Sequence, residues 1–172
     1  MKNTFIFKLL IDLVYYYFFS GIVGILVILP LMYFTLGDSK IAFDGIETNL
    51  SSLTLIHWVI LLLVLITYVL FFKGLYHLRV VARFLLSKNS FSLKIIRNLN
   101  FSGKYFLYTS ILYFIVLITS SITKIFKGHI SLSFDITTSL PIFIAIIGLF
   151  FIIQSNALKI AKIYKEENAL MI

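Results

Sequence analysis

The stretch KGLYHLRVVARFLLSKNSFSLKIIRNLNFSGK, residues Lys73–Lys104, decides how the chain is arranged. It holds seven of the fifteen Lys and Arg residues and no acid, and long uncharged runs lie on both sides of it. In the whole chain of 172 residues, 60% are hydrophobic and 13% are charged, whereas soluble domains usually have about 25% charged residues. This composition is typical of an integral membrane protein.

Four uncharged runs are long enough to cross a membrane as helices, since crossing takes about 20 residues. They are Leu13–Gly37, Thr48–Phe72, Tyr105–Thr123 and Ile136–Leu158, with 25, 25, 19 and 23 residues. Because lipid offers no partners to backbone groups, such runs form helices, and a barrel would need short alternating segments. We therefore predict one all-α membrane domain over residues 1–172, a four-transmembrane-helix bundle with helices at about 13–36, 55–75, 105–123 and 140–160. We expect the first run to be retained, because it is longer than a signal-peptide core.

The distribution of cations predicts the orientation of these helices. If both termini and the connector 73–104 share one side, that side holds twelve of the fifteen cations, and the other holds Lys40, Lys124 and Lys127. The positive-inside rule then places both termini and the connector in the cytosol, where the cations face the anionic inner leaflet. The net charge of +8 follows from this topology, so we predict no direct contact with nucleic acid.

Helices 2 and 4 are predicted to extend into the cytosol. Apolar spacing continues beyond residue 75, and the helix 2 extension is expected to end at Lys88–Asn89. A second short helix, capped by Ser90 or Ser92, follows and lies in the headgroup region. Lipid anchoring and docking of a partner both remain open for these segments. The candidate partner-binding residues are Arg79, Arg83, Lys94, Arg97, Lys162, Glu166 and Glu167.

The two predicted outer loops contain signals for short extracellular strands. Residues 41–43 alternate before the turn signal Asp44-Gly45, and residues 130–136 alternate more clearly, so the two segments are expected to pair. The halves of the chain also echo one another, because Phe43-Asp44 and Phe134-Asp135 are 91 residues apart. Either a two-hairpin pseudo-repeat about the membrane normal or chance similarity explains this echo.

No motif for catalysis is present, and the chain has no cysteine. The uncharged runs contain no Asp, Glu, Lys or Arg, and His57, His129 and the outer carboxylates lack ligand spacing, so we predict no enzyme, no cofactor and no metal. Two alternatives stay open: a lipid-modifying enzyme, and a small transporter or channel subunit using Gln154, Asn156 and the hydroxyls of helix 3. The default role of those hydroxyls is to bond helices, and Ser20 and Gly24 favour a close helix approach. The helix 3 hydroxyls belong to Thr109, Ser110, Thr119, Ser120, Ser121 and Thr123.

The connector FLLSKNSFSLKIIRNLNFSGKYFL and the end KEENALMI, together with four spans, resemble the bacterial membrane family described as domain of unknown function 2975. The matching connector positions are Phe91, Ile96, Leu99 and Gly103. In the tail, Ala169 and Met171 stand where the family usually has Asp and Thr, while Glu167, Asn168, Leu170 and Ile172 match. The resemblance implies a multi-pass protein of the bacterial inner membrane, encoded beside small helix-turn-helix regulators. It carries over no catalytic residue.

These observations together predict a non-enzymatic regulatory or scaffolding protein. Its connector and C-terminal helix are expected to dock a cytosolic partner such as a small helix-turn-helix transcription regulator. A homodimer and a structural subunit of a larger complex remain alternatives.

Overall fold

The computed structural model describes residues 2–35, 40–43, 46–49, 55–85, 92–126 and 136–170. Within these ranges it has four α-helices, α1 (Lys2–Thr35), α2 (Leu55–Leu85), α3 (Leu93–Phe126) and α4 (Ile136–Leu170). Each contains a stretch long and apolar enough to cross a membrane: Thr4–Gly24, Leu55–Leu85, Leu93–Ile125 and Thr137–Asn168. The predicted four-helix, multi-pass membrane protein is confirmed at this level.

The connector contains one helical segment fewer than the sequence predicted. As predicted, α2 continues past residue 75, and it ends at Leu85. The separate short helix before helix 3 is wrong, because α3 runs without a break from Leu93 through Gly103 to Phe126. Gly103 does not interrupt the helix, since it is buried where α3 crosses α4. The predicted cap at Ser92 is confirmed, because the Ile95 N–H donates to Ser92 Oγ at 3.4 Å.

Two helices begin earlier than predicted. The first starts at Lys2 rather than near residue 13, since no Gly or Pro interrupts residues 2–20. The fourth starts at Ile136, so Pro141 lies inside the helix and not in its first turn. Pro141 is fully buried, and neighbouring α3 supplies a hydrogen bond to its carbonyl. The predicted extension of helix 4 is confirmed, because α4 continues to Leu170.

The first connection between helices contains a small hairpin. Strands β1 (Lys40–Phe43) and β2 (Ile46–Asn49) pair antiparallel, with Lys40 opposite Asn49 and Phe43 opposite Ile46. The sequence predicted pairing between the two outer loops, whereas the observed pairing lies within the first. Residues 127–135 of the second loop lie outside the described residues.

The helices pack in chain order, α1 on α2, α2 on α3 and α3 on α4. Among the described residues, the main contacts of the predicted four-helix bundle thus join helices that are neighbours in the chain, and the helices form a row. Phe71, Phe106 and Phe151 connect the last three helices, with ring centroids 5.4 and 5.9 Å apart. The surrounding core consists of Ile11, Leu75, Leu78, Val81, Ala82, Ile95 and Leu99.

The contact between α3 and α4 follows an antiparallel register with a step of seven residues. Ser155 Oγ donates to the Ile96 carbonyl at 2.8 Å, and Ser110 Oγ donates to the Pro141 carbonyl at 2.7 Å. Midway between these bonds, a Cβ at Gly103 would lie 2.6 Å from the Gly148 carbonyl oxygen. Three contact points at heptad spacing therefore fix the axial position of α4 against α3.

A second seam joins α3 to α2 and uses the adjacent positions of α3. Ser102 Oγ donates to the Gly74 carbonyl at 2.9 Å, and a Cβ at Gly74 would lie 2.8 Å from the Phe106 ring. Residues seven apart along both helices are buried at this seam. They are Ile60, Thr67, Gly74 and Val81 on α2, and Ile95, Ser102, Thr109 and Val116 on α3. Because α3 also packs on α4, it lies between α2 and α4.

Candidate functional site

The α3–α4 register displaces the uncharged part of α4 relative to that of α3. Gly148 lies beside Gly103, and Ser155 lies beside Ile96. Residues 147–158 of α4, which carry no charge, therefore run beside residues 93–104 of α3, which include Lys94, Arg97 and Lys104. At 1.5 Å per residue, the uncharged run of α4 extends roughly 17 Å beyond the point where that of α3 ends.

The charges of α1 and α2 lie at the same level as those of α3. Gly74 lies beside Ser102, which brings Arg79 level with about residue 97, and Arg79 pairs with Asp12 of α1. One end of the row thus carries a band of charges, which we call the charge band, and α4 crosses it with no charge before Lys159. The charge band consists of Lys8, Asp12, Lys73, Arg79, Arg83, Lys94, Arg97 and Lys104.

Arg79, one of the predicted partner-binding residues, is engaged inside the molecule. Its Nε donates to Asp12 Oδ1, and its NH2 group donates to the Tyr16 hydroxyl at 2.7 Å. The guanidinium carbon lies 4.4 Å from the centroid of the Tyr15 ring, and the side chain is only 12% exposed. Arg79 therefore joins α1 to α2 and is not available as a free docking cation.

The other predicted residues are accessible and fall into two groups. Arg83, Lys94 and Arg97 are exposed within the charge band, with Lys94 Nζ 4.4 Å from the Phe84 ring centroid. Lys162 forms an ion pair with Glu166 at 3.4 Å, and Glu167 is exposed on the last turns of α4. The first three lie in the charge band, whereas the α4 group lies beyond Leu158, where the uncharged run of α4 ends.

A groove of about 540 Å³ lies between α3 and α4 at the charge band, and the sequence did not predict it. Arg97 was predicted as a partner-binding residue and Asn156 as part of a transport path, but Lys104, Lys159 and Asn100 were not predicted as site residues. Lys104 and Lys159 are the first charges beyond two uncharged runs, which marks them as boundary residues. Only the register shows that they share one groove. The remaining lining residues are Leu93, Ile96, Phe101 and Ser155.

The outer face of α4 carries an exposed apolar stripe, which we call the α4 stripe. Its members follow alternating steps of three and four residues, the spacing of a helix-packing seam. They are Phe143, Ile146, Phe150, Ile153, Ala157, Ile160 and Tyr164, and all are exposed. Ser155 and Gly148, which contact α3, lie on the opposite side of α4. The last four members lie level with the charge band or beyond it.

The hydroxyls of α3 bond to backbone carbonyls. Thr109, Thr119 and Ser121 donate to carbonyls of α3 itself four residues earlier, at 2.8–2.9 Å, and Thr123 donates to Ser120 O at 2.7 Å. Ser110 bonds to α4, Gln154 and Asn156 are exposed, and Asn156 lines the groove between α3 and α4. The described residues therefore do not bring these groups together around a polar path. They also contain no group of three or more His, Asp or Glu side chains able to hold a metal.

No protein-family model, no curated protein and no solved structure matches the chain. The resemblance to the domain of unknown function 2975 family therefore remains a prediction from the residues that carry it.

Proposed function

We propose that the protein is a non-enzymatic regulatory or scaffolding component of the bacterial inner membrane. In this proposal both termini and the charge band lie in the cytosol, and the C-terminal part of α4 docks a cytosolic protein. The excess of cations at that end supports the orientation.

The observation that carries the proposal is the exposure of the C-terminal half of the α4 stripe, from Ile153 to Tyr164. Ile153, Ile160 and Tyr164 are 65%, 54% and 60% exposed. They lie beside or beyond the charge band and not beside the uncharged runs of α1–α3. We therefore place these side chains outside the hydrocarbon layer of the membrane. An exposed apolar seam outside the membrane typically binds another protein, and 3–4 spacing suits a partner helix.

Charged residues flank the stripe and supply specificity. Lys162 and Lys165 lie on the same turns as the exposed acids Glu166 and Glu167. Such mixed charge at the edge of an apolar seam selects the register and identity of a partner helix. A small helix-turn-helix regulator, the partner that the family resemblance implies, offers helices of the required size.

Site-specific photocrosslinking in cells tests this proposal. A photoreactive phenylalanine replaces Tyr164 in the full chain, and a second variant carries it at Phe143, on the same stripe but within the uncharged run. We expect the Tyr164 probe to form one dominant adduct with a cytosolic protein and the Phe143 probe to form none.

A matched pair of substitutions then tests whether the adduct reports docking. Ile160→Asp lies on the stripe, while Ile163→Asp places the same charge on an exposed residue outside it. The purified crosslinked protein should bind the wild type and Ile163→Asp alike, and bind Ile160→Asp at least tenfold more weakly. Equal loss in both variants, or equal binding by all three, would contradict the proposal.

A further inference from the structure

The groove between α3 and α4 combines an apolar floor with three cations. Arg97 and Lys104 come from α3, and Lys159 comes from α4, while the floor includes Leu93 and Ile96. All three cations are exposed, and within the described part of the chain none of them forms an ion pair. The Arg97 guanidinium instead lies 5.4 Å from the centroid of the Phe101 ring. The groove thus has positive charge without an internal counter-charge.

The position of the cations along the helix axes fits the headgroup layer. Lys104 directly precedes the uncharged run of α3, and Arg97 lies two turns further out, about 10 Å along the axis. Lys159 lies further out still, but a lysine chain extends toward the phosphate layer by snorkelling. The wall opposite Arg97 and Lys104 is the uncharged stretch 147–158 of α4, so no carboxylate from that stretch neutralises them.

We propose that this groove is a binding site for an anionic phospholipid. The phosphate lies between Arg97 and Lys104 and is also reached by Lys159, while the exposed amide of Asn156 is available to the glycerol or headgroup oxygens. The apolar floor receives the methylene groups next to the ester linkages. The site is distinct from the α4 stripe, because Lys159 lies roughly 100–120° around the helix from Ile153 and Ile160, while Asn156, roughly 40–60° from them, lies between the two surfaces.

The test is a lipid titration of the full chain in detergent, followed by native mass spectrometry. One triple variant carries Arg97→Gln, Lys104→Gln and Lys159→Gln. The matched control carries Lys73→Gln, Arg83→Gln and Lys94→Gln, which removes the same charge from exposed residues outside the groove. We expect the groove variant to bind phosphatidylglycerol roughly a hundredfold more weakly than the wild type, and the control to stay within about threefold.

Two further arms identify the source of the phosphate. Phosphatidylcholine should bind the wild type no better than it binds the groove variant, and free glycerol 3-phosphate should not displace phosphatidylglycerol. Equal losses of phosphatidylglycerol affinity in the two triple variants would show that overall charge determines binding. That result would contradict the groove as the binding site. Displacement by glycerol 3-phosphate, or equal binding of phosphatidylcholine, would overturn the lipid assignment.

A single substitution keeps the test decisive if the groove variant does not fold. Lys159→Gln changes one exposed side chain, and Lys94→Gln is its control. Lys159→Gln is expected to weaken phosphatidylglycerol binding roughly fivefold. An unchanged affinity would contradict the role of Lys159 in the site.

Discussion

Small residues set the distances between helices in this protein. Gly103 and Gly148 bring the backbones of α3 and α4 together, and Ser155 and Ser110 bond across the same seam. In lipid the hydrophobic effect does not drive helix association, so close packing and bonds of this kind carry much of it. The sequence predicted such an approach at Ser20 and Gly24, yet a Cβ at Gly24 would meet nothing within 4 Å. Spacing alone did not identify which small residues face another helix.

The glycine crossing leads to a first prediction. Gly103→Ala is expected to destabilise the protein by about 1–3 kcal/mol, because the new methyl group would collide with the backbone of α4. Gly24→Ala should be neutral or stabilising by up to about 1 kcal/mol, since it adds helix propensity in open space. Denaturant unfolding in mixed micelles measures both. Similar stability of the two variants would contradict the observed crossing.

The interhelical serines lead to a second prediction. Ser155→Ala removes a buried donor to the Ile96 carbonyl and should cost about 0.5–1.5 kcal/mol. Ser121→Ala removes a bond from an exposed hydroxyl to its own helix and should change stability by less than about 0.5 kcal/mol. The same unfolding experiment compares them, and a larger loss for Ser121→Ala would contradict the seam.

At the scale of single helices, α1 depends on α2. Its anchors are the Asp12–Arg79 pair and the Tyr68 hydroxyl, which donates to the Phe18 carbonyl at 2.7 Å. Tyr15 also stacks on Phe72, with centroids 4.7 Å apart. These anchors lie between residues 12 and 18 of α1, and they hold the helix against α2.

The anchor of α1 leads to a third prediction. Asp12→Ala leaves the largely buried Arg79 without its carboxylate and should cost about 1.5–3 kcal/mol, whereas Asp12→Glu should restore most of the stability. Lys73→Gln, at an exposed cation of the same band, is the control and should change little. Thermal unfolding in detergent measures the series. No loss in Asp12→Ala would show that the pair does not hold α1.

The helices could be predicted from the sequence because their signals are local. Uncharged runs mark the spans, and continued apolar spacing marked the extension of α2 toward Leu85. The predicted break before Tyr105 is wrong. A glycine such as Gly103 is common in turns, but here it lies inside α3 and allows α4 to pack closely. The groove could not be predicted either, because Lys104 and Lys159 are 55 residues apart and meet only through the antiparallel register.

For the whole molecule, the displacement of α4 is the property on which both proposals depend. Hydropathy places Ile153 within a membrane span, because it lies inside the uncharged run 136–158. The register instead brings Ile153 level with about Asn98, inside the charge band. Because α4 is displaced, the C-terminal half of the α4 stripe lies level with the charge band or beyond it. For the same reason, an uncharged part of α4 forms the wall of the groove opposite Arg97.

Cysteine accessibility tests this displacement most directly, because the natural chain has no cysteine. Single variants Ile153→Cys and Ile146→Cys are expressed in membranes and treated with a membrane-impermeant maleimide, in intact cells and in inverted vesicles. We predict that Ile153→Cys is labelled in inverted vesicles only, and that Ile146→Cys, two turns closer to the membrane centre, is labelled in neither. Equal protection of both positions, or labelling of Ile153→Cys from outside the cell, would contradict the account.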